Sequence, residues 1–269
     1  MPSVVLPSSP LAGGKRVTIG YRREGQGPVL LFLHGGWGYE MYPIDIGAFS
    51  GSYTVVIPDR SGYGRSTALD AFPAEFHFRA AQETMALLDA LGIDHAVWWG
   101  HSDGAVIAAL AAIHAPQRVS AAVLEALHYS ATKPRSRSFF QRMASDPDSF
   151  GEPIRRTLAA EHGEHRWRSI LRLDGQAWLD LAAGAATSRA DLYDDRLSAL
   201  RRPTLVVHGG EDPRTEPGEL DAILEEIPQA LLSLHPSAGH SPHSAASRDA
   251  VTSAIIDFLD SCGPHQGRP

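Results

Sequence analysis

The run Ala96-Val97-Trp98-Trp99 passes straight into Gly100-His101-Ser102-Asp103-Gly104, and that into a stretch to His114 made almost wholly of Ala, Val, Ile and Leu. A short apolar run bounded by glycine reads as a buried strand, and the longer apolar stretch as a buried helix. Only the G-x-S-x-G string separates them. A chain that turns from strand to helix in so few residues needs glycine on both sides, so that neighbouring backbone can pack closely. The turn forces Ser102 into a strained backbone conformation at a helix N-terminus, where free N–H groups and the helix dipole favour developing negative charge. Gly-x-Ser-x-Gly alone is a common string; between a strand and a helix it reads as a nucleophile elbow. The competing reading is a plain glycine-rich turn.

The same alternation of short apolar runs and helical patterns extends along the chain. Val29–Leu33, Tyr53–Ile57, Val119–Leu124, Pro203–His208 and Leu231–His235 read as further strands. They predict an α/β fold built on a mostly parallel sheet flanked by helices. Glu75 to Leu91 carries Phe78, Ala81, Met85, Leu88 and Leu91 at helical spacing, which predicts that this stripe faces the core. Ala246 to Leu259 reads as a closing helix and Gly263 to Pro269 as a frayed tail. His128 to Ala199 breaks the rhythm, with no strand-like run, two tryptophans and patterns such as Ile154-Arg155-Arg156-Thr157-Leu158 that suit helices. It reads as a helical insertion, residues 128–199, into a body formed by 1–127 and 200–269. Lys133 to Arg172 holds nine basic and five acidic residues, and Asp174 to Asp195 one basic and five acidic. Pairing between these two halves is the plain expectation; attraction of an anionic substrate by the basic half is the alternative.

Composition excludes other classes. The 269 residues are 43% hydrophobic, ample for a core and unlike a disordered chain. Lys plus Arg number 24 against 31 Asp plus Glu, a net charge of −7, which argues against a nucleic-acid partner bound through its phosphates. A single cysteine, Cys262, cannot form an intrachain disulfide and fits a reducing compartment. No apolar run approaches the ~18–20 residues of a membrane span, and the first residues lack the basic and apolar regions of a secretion signal. The expectation is a cytoplasmic protein with a small-molecule substrate and no membrane partner; a homodimer stays open. No cofactor is expected, since the Gly62/Gly64 turn lacks the context of a dinucleotide site. Nor is a metal, since His162 and His165 have no third ligand suggested nearby.

A serine nucleophile needs a base, and the base an orienting acid. Thirteen histidines make composition useless for the choice, but position helps. His240, in Ser237-Ala238-Gly239-His240-Ser241-Pro242, follows the last strand, where open α/β sheets gather functional groups. His243 is the alternative. Asp212, in Gly209-Gly210-Glu211-Asp212-Pro213, is the acid candidate, with Glu211 and Glu125 as alternatives.

The order Ser102, Asp212, His240 resembles the α/β-hydrolase superfamily, over about Arg16 to Leu259. His34-Gly35-Gly36-Trp37-Gly38 is similar to that family's oxyanion loop, and Asp59-Arg60-Ser61-Gly62-Tyr63-Gly64-Arg65-Ser66 to its D-x-x-G-x-G-x-S turn. The resemblance implies the α/β-hydrolase fold with a helical cap over residues 128–199. It implies an oxyanion hole from the N–H of Asp103 and that of Gly36 or, alternatively, Trp37. Substrate contacts would then fall to Trp37, His101, Trp167 and Trp178, with His34 bracing the oxyanion loop and Arg60 and Ser66 holding the turn. Asp103, which follows the nucleophile as in proteins similar to biphenyl-hydrolase-like enzymes, would cap or salt-bridge its helix, or else meet a substrate ammonium. The implied activity is hydrolysis of a small carboxylic ester or lactone. Amide or C–C bond hydrolysis, a biosynthetic rearrangement and a ligand receptor use the same residues.

Overall fold

The computed structural model describes residues 1–185, 190–244 and 246–263. One eight-stranded sheet runs through it. Its strands are β1 (Ser3–Ser9), β2 (Lys15–Glu24), β3 (Val29–Leu33), β4 (Thr54–Pro58), β5 (Ala96–His101), β6 (Val119–Glu125), β7 (Thr204–Gly209) and β8 (Leu231–His235). Their spatial order is β1-β2-β4-β3-β5-β6-β7-β8. Strands β3 to β8 are parallel, and β1 and β2 join antiparallel at one edge. From β3 the chain goes to β4 on one side and then crosses to β5 on the other. The carboxyl ends of β3 and β5 therefore flank the point where the winding reverses, the place where open α/β sheets form a crevice.

The helices are α1 (Gly47–Ser50), α2 (Phe76–Ala90), α3 (Asp103–His114), α4 (Arg137–Ser145), α5 (Glu152–His162), α6 (Trp167–Gly184), α7 (Glu219–Glu226) and α8 (Arg248–Ser261). Alternation along the central strands splits the core into two layers. Leu31, Leu33, Trp98 and Leu124 pack towards α2 and α3, while Leu30, Phe32, Trp99 and Val123 pack with Phe49 and the α8 residues Val251 and Ile255. Helices α4 to α6 lie between β6 and β7, and their Phe140, Met143, Leu158 and Trp178 join the first layer. The two ends of this segment meet: Ser130 bridges Asp191, Ala131 N–H donates to Ala190 O at 2.9 Å and Leu192 N–H to Tyr129 O at 2.9 Å.

Several expectations need correction. The N-terminal strands β1 and β2 differ from the expectation, because β1 is an edge strand and the pair buries only Leu6, Val17 and Ile19 as its apolar contribution. Strand β8 is an edge as well, and Leu231, Leu232 and Leu234 are exposed. The buried face of α2 is rotated from the apolar stripe. Phe78, Met85 and Leu91 are half-buried, while the polar His77, Glu83 and Thr84 are buried. Each has a partner: Glu83 accepts from Ser9 and Ser61 hydroxyls, Thr84 donates to Ala80 O, and His77 bonds Asp103. Buried hydrogen bonds thus outweigh the apolar period. Nor, among the described residues, do the two charged halves of the β6–β7 segment pair. Among the described residues the ion pairs of the basic half are Arg155 with Glu152 and Glu164, Arg156 with Glu152, Arg168 with Asp148, and Lys133 with Glu219 on α7. The tail reading falls largely on residues 264–269, outside the described residues.

Helices α4 and α6 pack closely at Gly175. A Cβ there would stand 2.6 Å from Phe140 O and 2.7 Å from Met143 Cβ. Gly175→Ala is expected to lower the unfolding free energy by about 1–3 kcal/mol through overpacking, read as a shift in urea midpoint. Gly184→Ala, near the helix end with open space around it, serves as the control and should not destabilise.

Candidate active site

The turn after β5 has the strain that its sequence implies. Ser102 sits at φ 57°, ψ −120°, directly before α3. A Cβ on Gly100 would strike the Gly104 carbonyl, and one on Gly104 the Leu33 carbonyl at the end of β3. Ser102 N–H donates to Glu125 O at 2.9 Å, so β3 and β6 hold the turn from both sides. The Ser102 side chain projects between the loops that follow β7 and β8.

Those loops bring Asp212 and His240 to it. Ser102 Oγ lies 3.0 Å from His240 Nε2, and His240 Nδ1 lies 2.8 and 3.0 Å from the two Asp212 carboxylate oxygens. Burial alone would raise the Asp212 pKa. The His240 charge and hydrogen bond, with the Arg214 N–H at 2.8 Å, instead hold it well below the usual carboxylate range. An ionised Asp212 keeps the proton of His240 on Nδ1, which leaves the Nε2 lone pair facing the serine hydroxyl. The alternatives lie elsewhere. His243 pairs with Glu125 at 2.8 Å, and Glu125 also accepts from Trp99 Nε1; Glu211 is exposed. His101 Nε2 lies 2.9 Å from His240 O and 3.0 Å from Ser241 Oγ, and burial pushes its pKa down to about 3. It positions the His240 loop as a neutral ring.

Among the described residues, none of the backbone N–H groups of Gly36, Trp37 and Asp103 has a protein acceptor. They are donors left open beside Ser102. The loop after β3 is held by His34, whose Nε2 accepts Arg60 N–H at 3.3 Å, and by Arg60 Nη2, which donates to Gly35 O at 2.9 Å. The Ser66 hydroxyl donates to Asp59 O and accepts Gly20 N–H at 2.9 Å. The end of α5 grips the loop from the other side. Glu161 accepts Tyr39 and Glu40 N–H at 2.7 and 3.0 Å, while His162 donates Nε2–H to Trp37 O at 3.0 Å and accepts Gly64 N–H at 2.9 Å. Both nitrogens of His162 are therefore engaged in hydrogen bonds.

A cavity of about 190 Å³ opens onto Ser102 and His240. Trp37, His101 and Trp178 line it, whereas Trp167 does not and is instead buried in the core with Arg168 over its ring. Asp103 neither caps nor salt-bridges its own helix. It accepts from Trp178 Nε1 and bonds His77 Nε2, each at 3.0 Å, with Arg60 Nη2 at 4.0 Å. Its carboxyl also faces that of Asp174 from α6, which accepts from Tyr63 at 3.2 Å. Burial raises the Asp103 pKa, but the hydrogen bond and charge of His77, then Arg60, outweigh it and bring it down to about 2. Burial and the facing Asp103 charge push Asp174 far up. Asp174 therefore holds the proton of the pair.

Sequence reasoning missed several lining residues, among them Phe140, Asp174, Arg214 beside the Asp212 loop, and His128, whose Nε2 lies 3.3 Å from Ser102 Oγ with its ring nearly parallel to His240 at 5.5 Å. His128 follows the end of β6, a position that could have drawn notice. Nothing in the sequence pointed Asp174 inward.

Sheet, turn and loop order define an α/β-hydrolase architecture. The alpha/beta hydrolase family model matches residues 30–254. The mouse serine hydrolase BPHL is 27% identical over 209 residues, 77% of this chain and 69% of that protein. A 2-hydroxymuconate semialdehyde hydrolase from Pseudomonas putida is 30% identical over 265 residues, 86% of this chain and 89% of that one. A thermophilic esterase from Thermogutta terrifontis superposes with a TM-score of 0.72 at 24% identity, covering 97% of this chain and 99% of that one. The chain belongs to the alpha/beta hydrolase family, and its relatives are hydrolases. Among the described residues no helix is long and apolar enough to cross a membrane.

The Glu125–His243 pair beneath the site makes stability depend on pH. Burial raises Glu125, but the charge and hydrogen bond of His243 bring it down to about 2. Burial lowers His243, but the charge and hydrogen bond of Glu125 raise it overall. The carboxylate's share of stability is present above about pH 4.5 and lost as pH falls towards 2. The imidazole's share is complete below about pH 6.5 and lost as pH rises through its elevated folded value. Glu125→Gln should therefore cost about 3 kcal/mol at pH 6 in urea unfolding, and less at pH 9. Equal costs would show an uncharged pair.

Proposed function

We propose that this chain is a serine hydrolase that cleaves a small carboxylic ester or lactone through an acyl-enzyme. The observation that carries the reading is the continuous contact from Ser102 Oγ through His240 to Asp212, at 3.0 and 2.8 Å, beside open backbone donors. Ser102 Oγ attacks the acyl carbon as its proton passes to His240 Nε2. The carbonyl oxygen becomes an oxyanion, which the N–H of Asp103 and that of Gly36 or Trp37 stabilise, each donor contributing about 3–4 kcal/mol in comparable sites. Asp212 stabilises the resulting imidazolium without taking its proton. The tetrahedral adduct collapses, the C–O bond breaks and the leaving oxygen takes the proton from His240. Water then gives a proton to the same nitrogen and attacks the acyl-enzyme, releasing the acid and restoring Ser102.

Residues 128–199 act in this proposal as a cap, with Trp178 and Phe140 closing the cavity over the nucleophile. At about 190 Å³ the cavity is below the ~300–1,000 Å³ of drug-sized ligand sites, which favours a small substrate. A second reading draws support from the semialdehyde hydrolase relative at 30% identity: the same three residues would cleave a C–C bond beside a carbonyl.

A fluorophosphonate probe should label wild type and fail on Ser102→Ala, and Ser102→Ala should reduce kcat on short p-nitrophenyl esters by ~10⁴-fold or more. Asp212→Asn should cost ~10⁴-fold. Folded wild-type protein that resists the probe and leaves these esters intact would overturn the hydrolase reading. Labelling without ester turnover would favour the C–C reading.

A further inference from the structure

The charged groups around the cavity are not all paired. Asp103 is engaged by His77, Trp178 and the nearby Arg60. Asp174 carries a proton, burial keeps His128 and His101 uncharged, and the Asp212 charge is turned to His240. That leaves Arg214. It follows Asp212 by two residues, is half-buried and lines the same cavity as Ser102. Its backbone N–H holds Asp212 and its carbonyl accepts from Lys133 Nζ at 2.7 Å, yet its guanidinium makes no ion pair or side-chain hydrogen bond among the described residues. The guanidinium carbon lies over the Phe139 ring, 3.2 Å from its centroid. Burial pushes its pKa down to about 10, which still leaves it a cation at neutral pH. The groups whose charges reach it are Asp212, Tyr42 and Arg142. Arg142 on α4 adds a second cation without a carboxylate partner among the described residues, stacked on Phe150 at 4.0 Å.

A guanidinium held against an aromatic face and robbed of part of its water, with no carboxylate bonded to it among the described residues, is a preformed partner for a planar anion. We infer that Arg214 binds a carboxylate on the substrate, so that the natural substrate is a small ester or lactone that carries a free carboxylate on its acyl or its alcohol side. Phosphate and sulfate esters fit less well. They are bulkier and tetrahedral, and although the planar fork can pair with two oxygens of either anion, a cavity of about 190 Å³ favours the smaller carboxylate. The inference rests on the hydrolase reading above and adds the chemical class of what is cleaved.

The test compares two matched ester pairs in a pH-stat. Monomethyl glutarate against methyl valerate places the carboxylate on the acyl side, and O-acetylglycolate against propyl acetate places it on the alcohol side. Wild type is expected to favour the carboxylate member of at least one pair by ~10-fold or more in kcat/KM, and Arg214→Gln to reduce that ratio by a similar factor. Arg214→Lys, which keeps the charge but not the fork, should retain part of it. A wild-type ratio near one, or a ratio that survives Arg214→Gln, overturns the carboxylate assignment while neutral-ester turnover leaves the hydrolase reading standing. If no ester is cleaved, calorimetry with glutarate and O-acetylglycolate on the Ser102→Ala protein decides. At least tenfold weaker binding in the Arg214→Gln/Ser102→Ala double variant supports the inference; unchanged or undetectable binding overturns it.

Discussion

The close approach of backbone at the turn after β5 is the constraint on which the site depends. Gly104 lies against the end of β3 and Gly100 against Gly104, with no room for a side chain at either. Ser102 between them takes a backbone conformation that costs of order 1–3 kcal/mol and persists only where the surroundings over-determine it. Here they do. Its N–H is held by Glu125 O, the Glu125 carboxylate holds His243, and the neighbouring His101 holds the loop that carries His240. One network therefore fixes the serine and also places the imidazole opposite it.

The fold was legible where physics leaves few choices. Strands β3 to β7 are buried on both faces and surface in the sequence as short apolar runs between turn residues; Leu231–His235, an exposed edge, was visible by the same rule although its leucines face solvent. The N-terminal pair was not visible, because an antiparallel ribbon with so small an apolar contribution needs no such run. Helix α2 shows a second kind of blindness. Apolar periodicity assigns a buried face, but His77 and Glu83 enter the interior through partners on other elements that are far away in sequence, and Thr84 through a bond back to Ala80 O on its own helix.

The same division holds at the candidate site. Ser102, Asp212 and His240 each follow a recognisable strand, so motif and position along the chain named them as candidates, with His243, Glu211 and Glu125 left as alternatives. Asp174 and Arg214 owe their importance to what lies across the cavity, and local sequence carries no trace of that. Asp103 was visible, but its side-chain role was misjudged: a helix N-terminus suggests a cap, whereas its real partners are His77 from α2, Trp178 from α6 and the acid on the same helix. The charge imbalance of the insertion likewise suggested pairing between its halves, when most of its ion pairs are local and one reaches α7.

The grip of α5 on the loop after β3 bears on how such a chain could be altered by recombination. Glu161 and His162 provide partners for two N–H groups and one carbonyl of that loop, and for one N–H of the turn at Gly64. A foreign insertion without an acceptor pair at this place would strand buried backbone groups next to the open donors. Insertion and loop therefore form one structural unit: an exchange of residues 128–199 keeps these hydrogen bonds only if the loop after β3 travels with it.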